Sequence, residues 1–142
     1  IGGYHHRDID EIWQTYFDAT EKLAKSGKFD IVGHLDLIKI FKFMPKKDTR
    51  LLAKNALKAI KASNMVIELN TAGLHKPVGE IYPSRALLEE AYALDIPITF
   101  ASDAHFVEQI GFGYEEAVLL AKEVGYSKAV TFYKRDKQSI TF

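Results

Sequence analysis

Phe29-Asp30-Ile31-Val32-Gly33-His34-Leu35-Asp36 decides how this chain is read: a short apolar run opens directly into an imidazole and a carboxylate. The run from Phe29 to Gly33 is too continuous for a strand with one wet face, and it reads as a strand covered on both sides. Three more runs of this kind follow, Met65 to Leu69, Pro97 to Ala101 and Lys128 to Phe132, with starts 36, 32 and 31 residues apart. Helical stripes lie between them. Ile9, Ile12, Trp13, Tyr16, Thr20 and Leu23 keep the 3.6-residue period, with Asp8 and Glu11 placed as a capping box and Gly27 placed to end the helix. Leu52, Ala56, Ala59 and Ile60 form a second stripe after Asp48, and Leu87, Leu88, Ala91 and Leu94 a third after Ser84. Tyr114, Ala117, Val118 and Ala121 form a fourth before Gly125.

Alternating helices and strands at the length of one crossover unit predict an α/β fold with a parallel sheet and right-handed connections. The tail from Thr131 to Phe142 has apolar ends around Lys134-Arg135-Asp136-Lys137-Gln138, which suits a hairpin or an extended terminal strand. Four βα units could form a small open sheet, and they are fewer than a seven- or eight-stranded barrel requires.

The 142 residues include 19 basic and 19 acidic side chains, 47% apolar residues and no cysteine. This composition fits one globular domain over 1–142. Zero formal charge gives no electrostatic footprint for nucleic acid or an anionic membrane. Lack of cysteine excludes a disulfide framework, a thiol nucleophile and a thiolate zinc site, and it suits a reducing cytoplasm. Any metal must be held by His, Asp and Glu. The first residue is Ile1 rather than Met, which suggests a piece of a longer protein.

Polar residues collect where the first three strands end: Gly33-His34-Leu35-Asp36, Glu68-Leu69-Asn70 and Ser102-Asp103-Ala104-His105. That is the end at which α/β folds place their active sites. In extended backbone, residues i and i+2 point to one side, so two side chains of one step can serve one site. Imidazole and carboxylate without thiolate suit Zn, Mn or Fe. Each pair also has an ordinary structural reading. His34 and Asp36 could cap a turn, Glu68 could be a buried acid paired with a lysine, Asn70 could form a turn, and Asp103 could cap a short helix.

The connection from Thr71 to Pro83 is long and carries His75, Lys76 and Tyr82, as substrate-binding loops do. Lys76 suits a phosphate as a point charge, or simply a solvated surface position. His5 and His6 precede a helix rather than follow a strand, and are read as loop residues rather than ligands. Ser102 has no base placed for it, and Gly111-Phe112-Gly113 lacks the third glycine of a dinucleotide fingerprint.

Gly33-His34-Leu35-Asp36-Leu37-Ile38-Lys39, Glu68-Leu69-Asn70-Thr71-Ala72-Gly73-Leu74 with Tyr82-Pro83-Ser84, and Ala101-Ser102-Asp103-Ala104-His105 resemble, in order and spacing, the histidinol-phosphate phosphatase branch of the polymerase-and-histidinol-phosphatase (PHP) superfamily. The resemblance implies the C-terminal portion of a distorted (β/α)7 TIM-like barrel of mostly parallel strands, with two or three divalent metal ions at its mouth. By it, His34, Asp103 and His105 are metal ligands and catalytic residues, and Asp36 orients them. Glu68 and Asn70 support the substrate loop, and Asn70, His75 and Lys76 lie on the substrate side. The family's opening His-x-His strand and further His and Glu ligands have no counterpart here, so they are expected on an N-terminal segment outside these residues.

The expected reaction is hydrolysis of a small phosphate monoester, L-histidinol phosphate, by water activated on the cations, in histidine biosynthesis. No nucleic acid or membrane partner is expected. The competing readings are another PHP phosphoesterase or a nuclease, and a noncatalytic half-barrel that pairs with its missing part or with a second copy.

Overall fold

The computed structural model describes residues 8–142; His5 and His6 lie outside the described residues. Helix α1 spans Ile9–Lys25 and begins where the Asp8 carboxylate accepts the Asp10 N–H at 2.8 Å. It ends at Ser26, and Gly27 follows in the left-handed region at φ 69. Strand β1, Ile31–Val32, is shorter than its apolar run. Helix α2 (Thr49–Ala62), strand β2 (Val66–Asn70), helix α3 (Arg85–Ala93) and strand β3 (Ile98–Ala101) then alternate as the periodicity predicts. Asp48 and Ser84 cap the two helices by accepting Arg50 N–H and Leu87 N–H. Helix α4 spans Tyr114–Val124, with Glu115 and Glu116 in its first turn, where carboxylates face the positive end of the helix dipole.

The three strands form one parallel sheet in the order β1-β2-β3, with Ile31 opposite Val66 and Ile67 opposite Ile98. Among the described residues β1 has β2 as its one sheet partner, so its outer edge is free. The expectation of a fourth parallel strand is corrected. Strand β4 (Lys128–Tyr133) instead pairs antiparallel with β5 (Asp136–Thr141), which makes the tail a hairpin. Its two-residue turn is Lys134-Arg135, with φ 49 and 70, the positive pair that a tight hairpin needs. Arg135 anchors the turn by donating to both carboxylate oxygens of Asp30 at 2.8 and 3.1 Å. Lys137 Nζ donates to the Asn64 carbonyl. The hairpin is thereby fixed to residues just before β1 and β2.

Two apolar clusters hold the helices to the sheet. Trp13, Phe17, Leu57, Ile60 and Ile67 lie in the first, and Leu69, Leu88, Ile98, Ala117 and Tyr126 in the second. Each large side chain so buried contributes roughly 1.5–3 kcal/mol against exposure. Trp13 also donates its indole N–H to the Phe43 carbonyl at 2.8 Å. Among the described residues no helix is long and apolar enough to cross a membrane.

Candidate metal and phosphate site

The chain leaves β1 through His34 and enters a 3-10 turn, Leu37–Phe41. Asp36, at its start, is buried, and so is Lys39 one turn later, although a lysine seldom loses all contact with water. Lys39 Nζ lies 3.1 Å from Asp36 Oδ2, 3.0 Å from Glu80 Oε1 and 2.9 Å from the Ile81 carbonyl, so all three of its N–H groups have acceptors. Ser84 N–H donates to the same Asp36 oxygen at 2.9 Å. This network ties the segment after β1 to the one before α3. Burial pushes the Asp36 carboxyl above its ordinary value, against the pull of the Lys39 ammonium and the Ser84 N–H. Asp36 Oδ1 and the Tyr82 hydroxyl are buried with no hydrogen-bond partner among the described residues.

Glu68 and Asn70 stand on alternate positions of β2. Asn70 Nδ2 donates to Glu68 Oε1 at 2.6 Å, while Asn70 Oδ1 accepts Ala72 N–H at 2.9 Å and starts the 3-10 turn Thr71–His75. Asn70 and Tyr82 exchange both backbone hydrogen bonds, at 2.8 and 2.9 Å, which closes the long connection into a loop. Gly73 is needed there: a Cβ on it would sit 1.9 Å from the Glu80 carbonyl oxygen. His75, at the end of this turn, stacks on Phe112 with 3.7 Å between ring centroids.

Beyond β3, Asp103 adopts φ 49, a left-handed conformation that Asp tolerates better than most residues. Its carbonyl lies 2.9 Å from His105 Nδ1. With Nδ1–H donating to that carbonyl, His105 Nε2 carries the free lone pair, the tautomer a metal-ligating imidazole uses. His105 N–H donates to Gln109 Oε1 at 2.9 Å. Asp103, His105, His75 and Lys76 line one pocket of ≈ 190 Å³ together with Ala72, Phe106 and Gln109.

The structure thus brings four of the candidate residues to one pocket, whereas His34, Asp36, Glu68 and Asn70 are not among its lining residues, so the expected meeting of His34 with Asp103 and His105 is not seen among the described residues. Glu68 reaches toward the His34 N–H at 3.5 Å. Tyr82 is influenced by a carboxylate of each group. Its ring meets that of His34 edge-on at 6.4 Å, and burial, with the Asp36 and Asp103 carboxylates, pushes its phenol upward. The donors suit a divalent cation in kind. In number they fall short: among the described residues no three or more His, Asp or Glu side chains are gathered to hold one.

Reading the sequence alone missed Lys39, Gln109 and Phe112. Lys39 had left a trace, a lone cation inside the apolar run Leu37-Ile38-Lys39-Ile40-Phe41. Gln109 and Phe112 carried no such signal.

Fold and rim together define an α/β protein whose polar residues sit at the C-terminal ends of a parallel sheet. No family model matches the chain. It is 36% identical, over 97% of its length, to the "probable histidinol-phosphatase" of Deinococcus radiodurans, covering 52% of that protein. It is 38% identical over 75% of its length to the histidinol-phosphatase of Bacillus subtilis, covering 43% of it. Its fold matches, with a TM-score of 0.75 at 20% identity, the histidinol phosphate phosphatase of Lactococcus lactis, whose crystal structure is a complex with zinc, L-histidinol and phosphate. That match covers 94% of this chain and 53% of the other. The chain is therefore a homologue of the histidinol-phosphatases, as the motifs implied, and it spans about half the length of the curated relatives it matches.

Proposed function

We propose that this chain is part of a metal-dependent phosphomonoester hydrolase acting on L-histidinol phosphate. One observation carries the reading: Asp103 and His105, potential cation ligands, share a pocket with the Lys76 ammonium and the His75 imidazole. The names of the relatives and the ligands of the Lactococcus enzyme support it. In this reading the chain is the C-terminal portion of a distorted (β/α)7 barrel, and a segment outside it supplies the remaining ligands. The short ligand count among the described residues favours that arrangement.

Asp103 and His105 would hold cations, and His34 would complete a further coordination sphere. Zn, Mn or Fe bound there supplies charge against the phosphoryl oxygens and lowers the pKa of water. The chain's own residues set the geometry. The Asp103 carbonyl fixes the His105 ring, the Phe112 stack limits where the His75 ring can go, and Lys76 offers a point charge to an ester oxygen. Asp36 and Lys39 fix the segment that carries His34.

The test is metal-dependent phosphate release from L-histidinol phosphate and from a nucleoside monophosphate by the full-length protein. The histidinol ester is expected to be the better substrate, with turnover abolished by His34→Ala or by Asp103→Asn, an exchange that tolerates the same backbone conformation. Equal turnover in either variant, or preference for the nucleotide, rejects the assignment.

A further inference from the structure

Gln109 lines the same pocket as Lys76, His75, Asp103 and His105, and one end of its side chain is already committed. An amide offers one acceptor oxygen and two N–H donors on its nitrogen. The Gln109 oxygen accepts the His105 N–H at 2.9 Å, which fixes which way round the amide sits. Its two Nε2 donors then remain, and no acceptor among the described residues takes them.

The charges lining the pocket call for such a donor. Asp103 places a carboxylate beside any anion that enters, and Lys76 is the one Lys or Arg among the lining residues. A further ammonium would be drawn onto the carboxylate, whereas a neutral N–H donor can favour an anion without pairing to Asp103. A hydrogen bond to a charged oxygen is also about twice as strong as one between neutral groups.

We propose that Gln109 is an anion-binding residue, whose Nε2 donates to an oxygen of the phosphate group while its Oε1 holds the His105 backbone in place. This rests on the reading of the pocket as a phosphate site, and the controls separate the two.

The experiment titrates inorganic phosphate into the chain, following binding by backbone amide NMR and calorimetry, and compares Gln109→Met with Gln109→Glu. The glutamate variant keeps an oxygen for His105 N–H but exchanges the donors for negative charge. The methionine variant loses both ends at nearly constant length and adds no charge. Wild type is expected to bind with shifts at Lys76 and His105, and both variants are expected to bind roughly tenfold or more weakly. The His105 amide signal is expected to move in free Gln109→Met and to stay near its place in free Gln109→Glu. Wild-type affinity in Gln109→Met, with loss confined to Gln109→Glu, reduces the effect to charge repulsion and overturns the assignment. No phosphate binding by wild type overturns the pocket reading and this inference with it.

Discussion

Lys39 Nζ lies 3.1 Å from Asp36 Oδ2 with both side chains out of water, and the pair joins two segments that lie more than forty residues apart at Ile81 and Ser84. Taking two charges out of water costs about as much as their attraction returns, so such a pair is weak evidence for stability and better evidence for positional control.

Removing one partner is a different matter, because it strands the other. Lys39→Met is expected to destabilise the chain by about 3–5 kcal/mol, and Lys39→Met with Asp36→Asn by clearly less. Urea unfolding of the two single variants and the double variant measures the coupling. Strictly additive effects would show that the two groups do not act as a pair.

Gly73→Ala is expected to cost about 3 kcal/mol or more, since the added carbon would meet the Glu80 backbone carbonyl at 1.9 Å rather than a side chain that can turn away. The same change should disturb the His75 and Lys76 amide signals in NMR spectra, because the turn bearing them packs through this point. Near-native stability with unmoved signals would mean that the loop has room to shift.

Asp30 gives a pH signature. The Arg135 guanidinium holds its carboxyl below the ordinary value of 3.8. A depressed folded-state pKa stabilises the fold above the ordinary value, and that contribution is lost as pH falls through the lowered one. Protection of the β5 amides, corrected for the intrinsic pH dependence of exchange, is therefore expected to fall as the solution is acidified below 3.8, and Asp30→Asn to remove that dependence. High salt should weaken the exposed pair as well. Identical acid profiles for wild type and variant would assign the loosening to other groups.

Much of this architecture could be read from the residues because the information is local. The runs at Met65 and Pro97 are mostly apolar, and the first three α-helices carry their own caps at Asp8, Asp48 and Ser84. The tail hairpin was one of two readings of its apolar ends, and the choice between them was hidden, since Lys134-Arg135 has none of the glycine or asparagine that usually marks two left-handed residues. What supports that turn is Asp30, 105 residues away in the chain. Lys39 was hidden for the same reason: its acceptors at Glu80 and Ile81 lie 41 and 42 positions on. At the site, the Asp103-Ala104-His105 step and the His75-Lys76 pair were legible one by one, while their meeting around one pocket depends on how two connections fold over adjacent strands.

The side of β1 left unpaired among the described residues bears on how the molecule behaves in bulk. Phe29 and Ile31, 52% and 38% exposed, flank a row of free backbone groups, and a formal charge of zero gives copies nothing with which to keep apart. Concentrated stocks of the isolated chain should cloud most readily around neutrality and clear as acid or alkali lends every copy the same sign.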